Sequence, residues 1–207
     1  MNTLSARRLT MIITLKCTLN CRLCCNSIPL YEKKEHASLD EILLDIDHIF
    51  TLFDTIKWFQ FVGGEVFLHP ELDKVLAHTL QYRKQFEQIV FMTNGTLLPN
   101  PEVMDIMKQN PLLFQVQISD YGVLSRKREE LEKLLFKNGV NYTTKAYTGD
   151  IQHYGGWVDN TSYAYRGKTE EQLEQQFNNC WQIQMENWHV YKGQLHNCCL
   201  LYTSRCV

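Results

Sequence analysis

The chain has 207 residues, a hydrophobic content of 44% and a formal net charge of −2. These values predict one sizeable globular domain and argue against broad electrostatic binding of nucleic acid or of an anionic membrane. No stretch approaches the roughly 20 apolar residues of a membrane span, and residues 1–8 lack the apolar core of a secretion signal, so we expect a cytoplasmic protein.

Three cysteines, Cys17, Cys21 and Cys24, follow the first apolar run (residues 11–15) with the spacing C-x3-C-x2-C. In a reducing compartment such cysteines favour metal binding over disulfides. Three thiolates can hold three irons of a cubane 4Fe-4S cluster and leave the fourth iron open to a substrate. A structural zinc site usually closes with four ligands, and disulfides need paired cysteines, so a compact triad predicts neither. Cys25 adjoins Cys24 and is interpreted as a small buried neighbour.

A helix and a buried strand are predicted next. Ser38 and Glu41 form a capping box, after which apolar residues recur at helical spacing. The aromatic and β-branched run of residues 56–62 predicts a strand that ends at Gly63-Gly64-Glu65. Glycines at a strand end let the backbone approach a ligand, and a carboxylate there can accept hydrogen bonds from an ammonium group. A Gly pair alone more often marks an ordinary turn, so its place after the cysteines gives the segment its weight.

Two further predicted strands, residues 88–92 and 114–118, end in short polar residues. These are Thr93, Asn94, Ser119 and Asp120. The carboxyl ends of parallel strands are where α/β barrels place their ligand sites. Each of these strand ends, taken alone, is equally typical of a turn or a loop start.

Helical periodicity fills the intervals between the predicted strands, with helices that begin near Pro70, Pro101 and Ser125, and residues 141–146 are a fifth strand candidate. Strands that alternate with helices of this length imply βαβ units, a parallel sheet and right-handed crossovers. The predicted fold class is therefore α/β.

The cysteine triad, the Gly-Gly-Glu segment and the polar strand ends together resemble the signature of the radical S-adenosylmethionine (SAM) enzymes. The resemblance implies a partial (β/α)6 barrel over residues 1–147. It implies that the triad binds a 4Fe-4S cluster and that residues 63–65 bind the amino group of the SAM methionine. The polar residues at positions 93, 94, 119 and 120 would then line the SAM pocket near the ribose and the carboxylate.

The chain departs from the family pattern at two positions. Leu23 precedes the third cysteine, where an aromatic residue is common, and Val66 follows the Gly-Gly-Glu segment, where proline is common. Neither change removes a ligand. No glycine-rich adenine motif is recognisable on the fifth predicted strand, so adenine contacts are not assigned.

The resemblance also implies an oxidoreductase-type chemistry. SAM chelates the open iron, and an electron from the reduced cluster cleaves it to methionine and a 5'-deoxyadenosyl radical, which abstracts hydrogen from a peptide or small-molecule substrate such as a sugar-derived alcohol. The implied partner is an electron donor such as flavodoxin or ferredoxin. The alternative is a non-catalytic iron-sulfur or zinc-binding protein in which the same cysteines only stabilise the fold.

The pattern changes after residue 147. Residues 148–168 predict a loop, Thr169 is predicted to cap a helix, and two alternating runs around Lys192-Gly193 predict a hairpin. The spacing Cys180-x12-Gly193-x4-Cys198 is similar to the start of SPASM and twitch extensions, which bind auxiliary iron-sulfur clusters. The resemblance implies that residues 148–198 begin such an extension, with Cys180 and Cys198 as ligands of an auxiliary 4Fe-4S cluster. Alone, two such cysteines would more often be buried thiols.

The segment from Cys199 to Val207 is predicted to be non-native. It can be encoded by a sequencing-library adapter joined head to head, an inverted repeat that also supplies the stop codon. We therefore expect that Cys199 and Cys206 are not cluster ligands. We also expect that the hairpin extension is truncated, and that the natural protein continues past Cys198 with the further auxiliary-cluster cysteines.

Overall fold

The computed structural model of the protein describes residues 4–22, 24–148, 167–180 and 184–197. In these ranges the helices are α1 (Leu39–Leu52), α2 (Leu72–Thr79), α3 (Pro101–Gln109), α4 (Arg128–Lys137) and α5 (Glu170–Asn178). The strands are β1 (Ser5–Thr14), β2 (Thr55–Gly63), β3 (Phe86–Thr93), β4 (Phe114–Asp120), β5 (Asn141–Ala146), β6 (Asn187–Tyr191) and β7 (Gln194–His196). None of the helices in the described ranges is long and apolar enough to cross a membrane.

All of these strands lie in one sheet with the order β5-β4-β3-β2-β1-β6-β7. Neighbours from β5 to β6 pair in parallel, and β7 pairs antiparallel with β6. Parallel neighbours need long crossover connections, which explains the helix between each successive pair from β1 to β5. The sheet confirms the predicted α/β class and is consistent with a partial barrel.

The hairpin of β6 and β7 also forms as predicted, but its place in the sheet was not foreseen. Lys192 and Gly193 have positive φ angles of 48° and 70°, as the favoured two-residue hairpin turn requires. β6 pairs in parallel with β1, where Thr10 lies opposite His189, so the hairpin extends the sheet at the edge beside β1. The alternation of apolar and polar residues in a sequence identifies a strand, but it does not identify the strand with which it pairs. The boundary at residue 147 and the extension beyond it stay predictions.

Aromatic side chains align the strands on the face that the helices cover. Phe61, Phe91 and Phe114 come from three neighbouring strands, with ring centroids 6.0 Å and 6.1 Å apart along the row, and all are fully buried. A slip by one residue would turn such a row to the opposite face, so burial fixes the register. The carboxyl ends of β2, β3 and β4 are therefore held side by side.

A buried polar group lies between β1, β2 and β6. The hydroxyl of Thr10 lies 3.3 Å from Oε1 of Gln60 and 3.0 Å from Oδ1 of Asn187, whose Nδ2 lies 3.1 Å from Nε2 of His189. Because an amide nitrogen only donates, Nε2 of His189 accepts this hydrogen bond, which assigns the neutral imidazole with its proton on Nδ1. Burial, together with His196 and Arg8, lowers the pKa of His189 to about 4.

This histidine predicts acid sensitivity of the folded state. An unfolded histidine titrates near 6.5, so between pH 6.5 and 4 the unfolded chain binds the proton more readily and folding loses stability as the pH falls. We expect His189 to account for roughly 2 kcal/mol of the loss in unfolding free energy between pH 7 and pH 4.5. Urea denaturation of the cluster-free protein and of His189→Gln at both pH values measures this. An equal loss in the two proteins would contradict the prediction.

Candidate functional site

The predicted cysteine triad lies in the loop that follows β1, and both ends of this loop are tied to the same point of the sheet. The N–H of Leu15 donates to the carbonyl of Glu35 (2.8 Å), and the N–H of Ala37 donates to the carbonyl of Ile13 (3.0 Å). The hydroxyl of Thr14 lies 2.9 Å from Nδ1 of His36. The loop is therefore closed at its base, above the carboxyl end of β1.

The loop brings the three predicted ligands together. Cys17, Cys21 and Cys24 are each partly buried, and none forms a disulfide. The N–H of Cys24 donates to the carbonyl of Cys21 (3.3 Å), which turns the chain back on itself. Burial, and then the charges of Cys24 and Cys17, raise the pKa of Cys21. The triad is thus one electrostatically coupled group.

Cys25 differs from the prediction. The residue is solvent-exposed and its thiol points to Oδ1 of Asn26 (3.9 Å), although burial of the thiol, and then the charge of Cys24, raise its pKa to about 12.

The three thiols of the triad are the proposed ligands of a cubane cluster. Among the described residues, no three His, Cys, Asp or Glu side chains converge on a position for one ion. The irons of a cubane occupy separate corners, so its thiolate ligands surround it instead of meeting at one point. Burial raises the pKa of Cys17 and of Cys21, so ligand binding must displace protons from these thiols.

Gly63 and Gly64 bring the end of β2 against the cysteine loop. The N–H of Gly64 donates to the carbonyl of Thr14, and the next N–H donates to the carbonyl of Lys16, both at 2.9 Å. A Cβ on Gly64 would lie 2.1 Å from the oxygen of Lys16 and 2.8 Å from Cβ of Cys17. The glycines therefore allow a close approach of the chain to itself, and their contact with SAM stays a prediction.

The carboxylate of Glu65 joins the ends of β2 and β3. It is fully buried, and it accepts hydrogen bonds from the hydroxyl of Thr93 (2.8 Å) and from the N–H groups of Asn94 (2.8 Å) and Phe67 (3.2 Å). Burial raises the pKa of Glu65 to about 7, and these hydrogen bonds oppose the shift. Glu65 therefore holds the two strand ends together, and its contact with the SAM ammonium group stays a prediction.

The end of β4 meets the end of β3 through a residue that the sequence analysis did not single out. The buried hydroxyl of Ser125 donates to the carbonyl of Asn94 (2.7 Å) and accepts from the N–H of Tyr121 (2.8 Å), and it lies 3.2 Å from the carbonyl of Ser119. Sequence reasoning identified Ser125 only as a helix start. No local pattern marks a serine that links two strand ends.

Asp120 and Tyr121 follow on the same strand end. The carboxylate of Asp120 lies 3.3 Å from Nε of Arg128 and accepts from the N–H of Gly122 (2.9 Å). Burial, and then the charge of Cys21, raise the pKa of Tyr121, so this tyrosine lies near the cysteine loop. Proximity of Tyr121 to the triad was not predicted, and the SAM contacts of Ser119 and Asp120 stay predictions.

The predicted auxiliary ligands are only partly described. Thr169 caps α5 with a capping box to Gln172, as expected. Cys180 follows this helix, is partly buried, and donates its N–H to the carbonyl of Phe177 (3.0 Å). Cys198 lies outside the described residues, as do Leu23, residues 149–166 of the predicted loop and residues 199–207. The auxiliary cluster stays a prediction.

Comparison with known proteins agrees with this geometry. A sequence profile described as the Radical SAM superfamily matches residues 11–142. No curated protein sequence matches. The structure titled "Crystal structure of BtrN in complex with AdoMet and 2-DOIA" is similar with a TM-score of 0.63 and 14% identity, covering 99% of this chain and 77% of that one.

A second protein, anSMEcpe, is represented by several structures. A histidine-tagged form of anSMEcpe with bound AdoMet is similar with a TM-score of 0.55 and 18% identity, covering 73% of this chain and 47% of that chain. "Native anSMEcpe with bound AdoMet and Cp18Cys peptide" has a TM-score of 0.51 and 18% identity, covering 66% and 42%. The chain thus spans less than half the length of anSMEcpe, and these identities support a shared fold.

Proposed function

This chain belongs to the radical SAM superfamily, and we propose that it reductively cleaves SAM at a 4Fe-4S cluster bound by Cys17, Cys21 and Cys24. The observation that carries the proposal is the docking of this coupled cysteine loop against the Gly-Gly-Glu end of β2. When bound, the cluster supplies the electron that cleaves SAM to methionine and a 5'-deoxyadenosyl radical, which abstracts hydrogen from the substrate.

Hydrogen bonds near the cysteine loop hold the ends of three strands together. Glu65 fixes the end of β3 against the end of β2, and Ser125 fixes the end of β4 against the end of β3. The carboxyl ends of three parallel strands then form one rigid edge beside the thiols, which is where α/β folds bind their ligands. Gly63, Gly64, Glu65, Thr93, Asn94, Ser119 and Asp120 are the proposed SAM-binding residues at this edge.

The face of the sheet opposite the buried aromatic row supports a polar substrate. Met92, Gln117 and Thr143 lie opposite one another across β3, β4 and β5, and Met92 is 40% exposed. Their alternate neighbours, such as Phe91 and Ile118, are buried in the core. Amide and hydroxyl groups beside a thioether suit hydrogen bonding to a peptide backbone or to a hydroxylated small molecule. Both substrate classes therefore belong to the proposal.

The cysteine loop also carries charges that suit an electron donor. Lys16 and Arg22 are exposed beside Cys17 and Cys21. Exposed cations attract an anionic partner and accelerate its association. We propose that a flavodoxin or a ferredoxin delivers the electron at this surface, in a reducing cytoplasm.

Anaerobic reconstitution with iron and sulfide tests the proposed function. We expect a cluster whose EPR spectrum changes when SAM is added, and release of 5'-deoxyadenosine with dithionite. A colourless, zinc-loaded protein would support the alternative, in which the cysteines only stabilise the fold.

The proposed contact of Glu65 with SAM gives a separate prediction. Glu65→Ala should weaken SAM binding by roughly tenfold or more, because charge-assisted hydrogen bonds are the strong ones, while the cluster content is retained. EPR titration of the reconstituted variant with SAM measures the Kd. Glu71→Ala is the matched control, since it removes a nearby carboxylate that pairs with Lys74 and is not among the proposed SAM-binding residues. An unchanged Kd in Glu65→Ala would count against the contact.

A further inference from the structure

The side-chain amide of Asn94 points at the sulfur of Cys17. Asn94 directly follows β3 and is 7% exposed. Its Nδ2 lies 3.6 Å from Sγ of Cys17 and 3.0 Å from the hydroxyl of Thr18. The two residues of this N–H···S contact are 77 positions apart in the chain.

The orientation of this amide is fixed by its other end. The Oδ1 of Asn94 accepts from the N–H of Thr96 (3.0 Å) and lies 2.6 Å from the hydroxyl of the same residue. A backbone N–H can only donate, so the atom that faces it must be the oxygen, and the NH2 group must face Cys17.

The backbone of Asn94 is held as well. Its N–H donates to Glu65 (2.8 Å), and its carbonyl accepts from Ser125 (2.7 Å). The amide therefore donates from a fixed position and needs no rearrangement when the charge on the sulfur changes.

An N–H donor at a ligand sulfur acts on the redox equilibrium. Hydrogen bonds to the sulfurs are among the factors that set the reduction potential of an iron-sulfur cluster. The reduced cluster carries one more negative charge, so a donor stabilises it more than the oxidised form. The backbone N–H of Leu19 also donates to Sγ of Cys17 (3.4 Å), but a side-chain substitution does not remove that bond.

We propose that Asn94 is a positioning residue that raises the reduction potential of the cluster through its hydrogen bond to Cys17. The inference rests on the proposed function, because it requires Cys17 to be a cluster ligand. It adds to the predicted place of Asn94 in the SAM pocket a role that is exerted before SAM binds.

Redox titration of the reconstituted protein, followed by EPR without SAM, tests this proposal. In Asn94→Ala the midpoint should move to a more negative value. We expect the equilibrium constant for one-electron reduction to fall about tenfold, which corresponds to 59 mV. The effect is limited because only part of the energy of a charge-assisted hydrogen bond differs between the two oxidation states. Asn94→Asp keeps the shape but replaces the donor by an anionic acceptor, so its midpoint should lie lower than that of the wild type.

Thr96→Val is the matched control. It removes the hydroxyl that lies 2.6 Å from Oδ1 of Asn94 and 2.5 Å from the hydroxyl of Thr18, and it leaves the N–H of Thr96 to hold the amide that donates to Cys17, so its midpoint should equal that of the wild type. Loaded Asn94 variants with the wild-type midpoint would overturn the proposal. So would the failure of both Asn94 variants to retain a cluster that Thr96→Val retains, because the role would then be structural. A wild-type protein that loads no cluster would instead overturn the proposed function.

Discussion

Replacement of Cys17, Cys21 or Cys24 by alanine should abolish the SAM-cleaving cluster, whereas Cys25→Ala should leave it in place. Each triad thiol is partly buried in the loop above β1, and the charges of the three act on one another. A cubane held by three thiolates has no spare protein ligand, so the loss of one thiolate leaves it with only two. Iron and sulfide analysis of each anaerobically reconstituted variant, with its EPR spectrum, measures the outcome.

Cys25→Ala is the matched control because it removes an adjacent thiol of the same loop. Cys25 is an exposed residue, and its thiol is directed towards Oδ1 of Asn26. Loss of the cluster in Cys25→Ala, or its retention in any one triad variant, would refute the ligand assignment.

Gly64→Ala should disrupt the cysteine loop without removing any ligand. The added methyl group would lie 2.1 Å from the carbonyl oxygen of Lys16 and 2.8 Å from Cβ of Cys17, so the backbone of the loop must move. Overpacking of this kind costs roughly 1–3 kcal/mol in a side-chain core, and a backbone obstacle yields less readily than a side chain. We expect reconstitution to retain less than a tenth of the wild-type cluster, with a lower free energy of unfolding in urea.

Gly139→Ala separates the loop effect from a general loss of stability. Gly139 has a φ of +68°, so alanine there is strained by roughly 1–2 kcal/mol, but the nearest atom to its Cβ is Pro111 Cβ at 3.9 Å. This variant should lose stability and keep its cluster. Wild-type cluster content in Gly64→Ala would show that the close approach of β2 to the loop is dispensable.

Local patterns in the chain were sufficient to predict most of the secondary structure. The capping boxes at Ser38 and Thr169 form, and α3 begins at Pro101 as predicted. The predicted fifth strand has the same bounds as β5. These features depend on interactions between residues a few positions apart, so they can be read from composition and spacing.

The triad and the polar strand ends could also be named from the sequence, since a parallel α/β fold gathers the carboxyl ends of its strands at one edge. The contacts of each polar side chain could not be predicted in this way. The carboxylate of Glu65 is occupied by Thr93 and Asn94, and Asp120 lies beside Arg128.

Which distant residues meet depends on tertiary packing. The amino-acid sequence alone was enough to identify a cysteine triad, a Gly-Gly-Glu segment and alternating strands and helices. It did not determine that β6 pairs with β1, that Ser125 joins two strand ends, or that Asn94 donates to Cys17. Periodicity and spacing describe one segment at a time, whereas these contacts depend on how segments far apart in the chain pack against each other. Packing is set by the burial of the whole core, and that is a property of the folded sheet.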